Sequence, residues 1–142
     1  PPERWAEVAA WLRGRHGLPV VLTGSSAPDE QAHLAAIKEA SAGCLDLSGR
    51  TTLVELASVI ARAALFCGVD TAAMHLADAV RTPAVALFGP TNPFHWRPRH
   101  TRSVVLRADT APPFTPNQKG GPMTRIDASL VKAAADALLI PR

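Results

Sequence analysis

The segment best suited to chemistry is a short turn that follows an apolar stretch and opens a helical pattern: Asp70, Thr71, Ala72 and Ala73. Small side chains at a helix start let a phosphate approach unpaired backbone N–H groups, where the helix dipole also favours negative charge. His75 follows on the same helix and can donate a hydrogen bond to a phosphate oxygen. The turn therefore predicts a site for a phosphate-bearing ligand.

Asp70 and His75 also have structural interpretations. A carboxylate beside a diphosphate is repelled, so Asp70 is expected to cap the helix or to accept hydrogen bonds from sugar hydroxyls while neighbouring amides hold the phosphate. His75 is either a phosphate donor or a core histidine bonded to the backbone. The histidines at 75, 95 and 100 lack a spacing typical of zinc ligands, and we expect no metal site.

Two further loops combine small residues with hydroxyl groups at the ends of predicted strands. They are Thr23-Gly24-Ser25-Ser26 and Gly89-Pro90-Thr91. Neither contains GxxxxGK[ST] or GxGxxG, so each is interpreted either as a ligand loop or as an ordinary strand-to-helix turn.

The elements that must position these loops alternate along the chain. Helices are predicted in PPERWAEVAAWLRGRH, from the GSSAPDE break to about Ala40, in LVELASVIARA after a Thr52–Glu55 capping box, in AAMHLADAV, and over the periodic apolar residues from Ile126 to Leu139. Strands are predicted in PVVLTG, CLDLSG, LFCGV, PAVALFG and SVVLR, the first of them covered on both faces. GPTNPFHWRPRH and the stretch from Ala108 to Thr124 are predicted to be loops.

This alternation predicts the α/β class, with a Rossmann-like parallel sheet and helices on both of its faces. Ligands of such folds bind at the carboxyl ends of the strands, where the three loops lie. The 142 residues are enough for one domain. The chain opens inside a helical pattern, so we expect a further segment upstream.

Composition excludes several classes of protein. No apolar run reaches the ~18 residues of a membrane span. Cys44 and Cys67 lie in apolar contexts, as expected of buried thiols in a reducing compartment such as the cytoplasm. The net charge is +3, but the sequence contains no recognisable nucleic-acid-binding motif, so nucleic acid is not an expected partner. An anionic ligand or surface does fit the local excess of arginine at Arg97, Arg99, Arg102 and Arg107.

The run GVDTAAMHLADAVRTPAVALFGPTNPFHW resembles the signature of glycosyltransferase family 9, the ADP-heptose:lipopolysaccharide heptosyltransferases. It shares the Asp-Thr-small-x-x-His-Leu-Ala core, the small-Pro-apolar strand and the Gly-Pro-Thr-x-Pro turn, in that order. RWAEVAAWL and VVLTGS resemble the same family, so the likeness extends from about Arg4 to Trp96, with a weaker match from Met123 to Leu139.

The resemblance implies a GT-B glycosyltransferase, in which two Rossmann-like domains face a cleft. Residues 1–142 would form its C-terminal half, the nucleotide-sugar-binding domain, and the N-terminal acceptor domain with the general base would lie upstream. Thr51 would lie near the nucleotide, and Asp29 or Glu30 would approach the ribose. The donor diphosphate and sugar contacts would come from Asp70, Thr71, Ala72, Ala73 and His75, and the Gly24-Ser25 loop completes the predicted donor-binding residues.

The implied reaction is inverting transfer of a heptose, or a related sugar, from an ADP-sugar to the lipopolysaccharide core. No cofactor is implied, and His75 would help to stabilise the departing diphosphate. The chain would carry no catalytic base and would be inactive alone. The implied location is the cytoplasm, with peripheral contact to the inner membrane.

Two alternatives remain open from the residues alone. One is a GT-B-type enzyme that uses another nucleotide sugar, such as a UDP-linked transferase or an epimerase. The other is a non-catalytic nucleotide- or saccharide-binding module. In that module the segment 94–107, with Phe94, Trp96 and interleaved arginines, would contact a membrane surface or a phosphorylated saccharide, unless it is a solvated loop.

Overall fold

The protein has the predicted parallel α/β fold. Its structure is a computed structural model that describes residues 1–141. The chain divides into two compact units, Pro1–Leu56 and Ala57–Arg142, and the boundary falls within a helix. The strands are hydrogen-bonded as two parallel sheets, one of two strands in the first unit and one of three strands in the second.

The first unit begins with helix α1, Pro2–His16, which ends at Gly17. Gly17 has a φ of 64°, the left-handed conformation in which glycine closes a helix without steric cost. Strand β1 (Val21–Leu22) pairs in parallel with β2 (Leu45–Asp46), and helix α2 (Pro28–Ala40) connects the two strands. The predicted strand-loop-helix-strand order is therefore confirmed here.

Strand β1 is less covered than its sequence predicts. The side chain of Val21 is 39% exposed, so the expectation of a strand covered on both faces is wrong. A β-branched run indicates a strand, but its burial depends on the elements beside it. Within the described chain β1 is hydrogen-bonded to β2 alone, over two residues.

Helix α3, Leu53–Ala61, begins at the predicted capping box. The N–H of Thr52 donates to Glu55 Oε2 at 3.1 Å, and the N–H of Glu55 donates to Thr52 Oγ1 at 3.2 Å. Each side chain satisfies a backbone donor that the helix start would leave unpaired. The prediction of a capped start is confirmed.

The second unit is built on three parallel strands in the order β3-β4-β5, which span Phe66–Val69, Ala84–Phe88 and Ser103–Arg107. Helix α4 (Ala72–Ala79) connects β3 to β4. The C-terminal helix, Ala128–Leu139, packs against β4 and β5. All five residues of β4 are buried, because this strand lies between β3 and β5 and because α4 and the C-terminal helix pack against it.

The core of the second unit gathers on one face of β4. Met74 of α4 is fully buried against this face, as expected for the apolar side of an amphipathic helix. The side chains that meet there are Met74, Ala86 and Phe88, with Phe66 and Val105 packed around them. This packing fixes the start of α4 above the ends of the strands.

The GPTNPFHWRPRH segment contains one helical turn that periodicity did not predict. Residues Pro93–Trp96 form helix α5, and we number the C-terminal helix α6. Asn92 caps α5, since its Oδ1 accepts a hydrogen bond from the Phe94 N–H at 3.0 Å, and Pro93 fills the first helical position. The prediction of an uninterrupted loop is wrong here because a single turn is too short to show a period.

The long loop after β5 is tied down at several points. The Asn92 side chain donates to the carbonyls of Thr115 and Pro116, both at 2.9 Å. Buried Arg107 donates through Nη2 to the Gln118 carbonyl at 2.8 Å. A side chain at position 120 would overlap the carbonyl oxygen of Gly89, so the loop backbone lies directly on the turn after β4. A short 3-10 turn at Met123–Arg125 leads into α6.

The described residues contain no helix long and apolar enough to cross a membrane. Cys44 and Cys67 are free thiols. Cys67 lies in β3, and burial raises the pKa of its thiol to about 12. A thiol with so high a pKa carries almost no nucleophilic thiolate near neutral pH.

Candidate functional site

The three strands of the second unit end at a common edge, and a polar turn follows each of them. Asp70 follows β3, Gly89 follows β4 and Ala108 follows β5. All three strands are parallel, so their carboxyl ends lie side by side. This edge is where ligands of parallel α/β folds bind, and it forms the candidate site of this unit.

Helix α4 starts at this edge without a side-chain cap. Its N-cap is Thr71, whose side chain makes no capping hydrogen bond, so the capping role expected of Asp70 is wrong. The N–H of His75 bonds to the Thr71 carbonyl at 3.3 Å. The amides of Ala72 and Ala73 precede that bond and have no acceptor within the helix. Thr71 and Ala72 are exposed, so an anion can reach these donors.

The carboxylate of Asp70 instead faces the imidazole of His75. Its Oδ1 lies 3.4 Å from His75 Nε2. The His75 side chain is 50% exposed, and the interpretation of His75 as a core histidine is therefore wrong. A carboxylate beside an imidazole fixes the orientation of the ring and pairs with its charge when the ring is protonated. The site thus combines helix-start amides with an oriented, solvent-accessible imidazole.

Trp96 borders this pair and was not among the predicted site residues. The ring centroids of His75 and Trp96 are 6.4 Å apart, with 72° between the ring planes, an edge-to-face arrangement. The tryptophan is 55% exposed. The sequence does place Trp96 shortly after the Gly-Pro-Thr turn that follows β4, and therefore near the carboxyl edge of the sheet. Spacing along the chain does not show that its ring contacts His75.

Asp78 ties the segment after α5 to helix α4. Its carboxylate accepts hydrogen bonds from the backbone N–H groups of Arg99 (3.1 Å), His100 (2.7 Å) and Thr101 (2.9 Å). Burial raises the pKa of the Asp78 carboxyl, but the three amides together outweigh burial and hold that pKa below its ordinary value. The same helix therefore carries His75 and anchors the chain beside Trp96.

The arginine cluster largely serves helix ends. Arg97 donates to the Phe94 carbonyl at 2.9 Å, and Arg99 donates to the same carbonyl at 3.0 Å. Arg102 donates to the Leu138 carbonyl in the last turn of α6. Cations at helix C-termini satisfy orphan carbonyls and complement the helix dipole. These bonds give three of the arginines a structural role that the charge pattern did not reveal.

In the first unit, the predicted Gly24-Ser25 loop closes onto the first turn of α2. The N–H of Ser25 donates to Glu30 Oε2 at 3.0 Å, and the Ser25 hydroxyl contacts the same carboxylate. A Cβ on Gly24 would lie 2.6 Å from Leu34 Cδ1 and 2.8 Å from Glu30 Oε1, so a larger residue here would displace the ends of these two side chains. Because a carboxylate already engages the Ser25 donors, the loop suits ligand hydroxyls better than a phosphate.

The predicted residues form two groups, one in each unit. Gly24, Ser25 and Thr51 belong to the first unit, where half-buried Thr51 directly precedes the capping box of α3. The residues of the α4 start belong to the second unit. Within residues 1–141, side chains of His, Cys, Asp and Glu nowhere gather in groups of three or more that could hold a metal ion.

Residues 1–122 match the family Glycosyltransferase family 9 (heptosyltransferase). Lipopolysaccharide heptosyltransferase 3 of Escherichia coli strain K12 is 42% identical to the chain over 102 residues, which cover 68% of this chain and 28% of that protein. The structure also resembles the glycosyl transferase family 9 protein of Veillonella parvula, with a TM-score of 0.83 and 29% identity, over 98% of this chain and 41% of the other.

A second solved structure, the E. coli heptosyltransferase WaaC with ADP-2-deoxy-2-fluoro heptose, has a TM-score of 0.74 and 26% identity over 96% of this chain and 38% of the other. The chain spans less than a third of the length of the E. coli relative that it matches. The family match nevertheless covers most of the chain, including the α4 start and the turn after β4. The chain therefore belongs to glycosyltransferase family 9, the heptosyltransferase family.

Proposed function

We propose that residues 1–142 form the C-terminal, nucleotide-sugar-binding domain of a longer GT-B enzyme that transfers a heptose from ADP-heptose to the lipopolysaccharide core. The observation that carries the proposal is the start of α4, where unpaired amides and the Asp70–His75 pair meet at the carboxyl edge of a parallel sheet. The heptosyltransferase relatives, one of them solved with an ADP-heptose analogue, support the choice of donor.

The α4 start would bind the diphosphate of the donor. The amides of Ala72 and Ala73 would donate to phosphate oxygens, and the helix dipole adds to the attraction. Because Nε2 of His75 faces Asp70, a protonated His75 would donate a third hydrogen bond through its Nδ1–H and would add a positive charge. Asp70 would hold the imidazole in place and accept a hydrogen bond from a sugar hydroxyl, which keeps its carboxylate off the phosphate.

The first unit would bind the nucleoside. The Glu30 carboxylate, which Ser25 holds in place over Gly24, can accept hydrogen bonds from ribose hydroxyls. Thr51 would lie beside the nucleotide at the start of α3.

The transfer itself would proceed with inversion. An acceptor hydroxyl, deprotonated by a base on the domain upstream, would attack the anomeric carbon as the bond to the diphosphate breaks. Negative charge then grows on the leaving phosphate, where the α4 amides and His75 would stabilise it. The chain would therefore be inactive without its upstream domain. The corresponding location is the cytoplasm, with peripheral contact to the membrane that carries the acceptor.

Calorimetric titration of the full-length protein with ADP, and with UDP as the paired nucleotide, tests the proposal. We expect ADP to bind more tightly, and we expect His75→Ala and Asp70→Ala each to weaken ADP binding by roughly tenfold, the worth of a hydrogen bond to a charged group. His95→Ala is the matched control, because His95 is exposed and its ring contacts Phe94 instead of the pair. That variant should bind ADP as the wild type does.

Other results would overturn the proposal. Tighter binding of UDP would indicate a GT-B enzyme with a different donor. Absence of binding to either nucleotide by the folded full-length protein would mean that the α4 start is an ordinary strand-to-helix turn. Equal losses in all three variants would show a general effect of substitution instead of a binding site.

A further inference from the structure

Trp96 is placed unusually for a tryptophan. The side chain is 55% exposed in the described chain, although a large aromatic surface is normally covered. Its ring meets the imidazole of His75 edge to face. The exposed part of the indole therefore lies beside the residue proposed to hold the diphosphate.

The position of Trp96 is fixed by its surroundings. Helix α5 is capped by Asn92 at its start, and Pro93 at its base is buried. Arg97 and Arg99 donate to carbonyls at its end. The chain that follows is held to α4 by the carboxylate of Asp78. A rigid aromatic side chain loses little conformational entropy when a ligand packs on it.

Two rings of a nucleotide sugar are bonded directly to the diphosphate, the ribose and the transferred sugar, whereas the base is separated from it by the ribose. The proposed partner of the ribose is Glu30, which leaves the transferred sugar as the ring for the indole. A ring next to the phosphate subsite at His75 is thus in reach of Trp96. The C–H bonds on one face of a sugar ring present a weakly positive, apolar surface that suits the negative face of an indole.

We infer that Trp96 is a specificity-determining residue that packs against the transferred sugar and forms the apolar wall of the sugar subsite. The inference rests on the proposed function, since it takes the diphosphate to lie at the α4 start. The imidazole of His75 joins the two subsites, with the phosphate on one side and the Trp96 ring on the other.

Titrations of the full-length protein with ADP and with ADP-heptose distinguish the proposed diphosphate site from the inferred sugar subsite. In the wild type, the ratio of the two affinities measures what the sugar contributes. Trp96→Ala should lower affinity for ADP-heptose by roughly three- to tenfold, the range of a single aromatic contact, and leave ADP affinity unchanged. Trp96→Phe should retain part of the difference, because a phenyl ring keeps an aromatic face. His95→Ala, one position earlier on α5, is the matched control.

The outcomes distinguish the inference from the proposed function. If Trp96→Ala weakens ADP and ADP-heptose equally, the tryptophan acts through His75 and the inference fails. If the variant binds both ligands as the wild type does, the ring touches neither and the inference fails as well. If the wild type binds neither ligand, the proposed function itself is wrong. A thermal unfolding midpoint for each variant identifies any loss that comes from misfolding.

Discussion

Asp78 illustrates how a single carboxylate organises part of the site. It lies on α4, one turn after His75, and receives three successive backbone N–H groups from the segment that follows α5. A carboxylate with this many amide donors is stabilised in its ionised form, and the pKa of Asp78 is accordingly lowered in spite of burial. The position of residues 99–101, which follow Trp96, therefore depends on the charge of Asp78, although Asp78 is not among the proposed ligand contacts.

We predict that Asp78→Asn destabilises the chain by about 1–3 kcal/mol at pH 7, since an amide oxygen is a weaker acceptor for three N–H groups. The pKa is lower in the folded state than in the unfolded state, so the stabilisation is complete above the unfolded value of about 4 and is lost as pH falls through the folded pKa. Urea denaturation of both proteins between pH 7 and pH 2 should show their difference shrinking as pH falls.

Asp29→Asn serves as the control for this series, because Asp29 is exposed in the first turn of α2. Its substitution should change stability little at any of these pH values. A difference between wild type and Asp78→Asn that stays constant down to pH 2 would contradict the assigned role of the charge.

Helices α3, α4 and α5 differ in whether a side chain caps their first turn, while α1, α2 and α6, like α4, have N-cap residues without a side-chain capping bond. Helix α3 begins with a reciprocal capping box, and α5 begins with an asparagine cap. Helix α4 alone among these three has an N-cap residue without a side-chain bond, although that residue is a threonine. A start that leaves its donors open is costly unless water or a ligand satisfies them, which is consistent with the proposed diphosphate site.

The two neighbouring threonines before α3 allow a matched test. We predict that Thr52→Ala lowers stability by about 1 kcal/mol through loss of the cap and leaves ADP affinity unchanged. Thr51→Ala should have the opposite pattern, with a loss of ADP affinity and little change in stability. Urea denaturation and calorimetry on the same two proteins measure both quantities, and identical patterns in the two variants would refute the division of roles.

The long loop after β5 is held at several points, and Asn92 provides two of its hydrogen bonds. Asn92 caps α5 through its oxygen and holds the carbonyls of Thr115 and Pro116 through its nitrogen. An aspartate at this position keeps the acceptor but loses both donors. The substitution therefore separates the cap from the anchor.

We predict that Asn92→Asp accelerates tryptic cleavage after Lys119 by several-fold, because local opening of the loop governs access to that bond. Limited proteolysis followed by mass spectrometry gives the rate. Thr91→Ala, an exposed substitution at the preceding position, should cleave as the wild type does. Unchanged cleavage in Asn92→Asp would show that Arg107 and Gln118 hold the loop without Asn92.

At the scale of the whole molecule, the sequence predicts element order well because each element has a strong local signal. The apolar runs of β4 and β5 and the capping box of α3 lie where they were expected. Family membership also follows from the sequence, since the matching motif is long and ordered. These features depend on neighbours along the chain, which a sequence displays directly.

The features that sequence reasoning missed depend on neighbours in space. The contact of Trp96 with His75 joins two helices through rings that are distant in sequence. The engagement of Ser25 by Glu30 requires the loop to fold back onto α2. Neighbouring elements of the fold also determine the exposure of Val21 and the hydrogen bond of Arg102 to the end of α6. Hydrophobic pattern and motif spacing contain no information about these pairings.

The close approach of the loop backbone at Gly120 to the Gly89 carbonyl has a consequence for how this protein can diverge. Most of the loop between Ala111 and Lys119 is exposed and can accept new side chains. Position 120 cannot, because any larger residue collides with the main chain of the turn after β4, which no rotamer change relieves. Substitutions should therefore be common in the loop between Ala111 and Lys119 and should be excluded at Gly120.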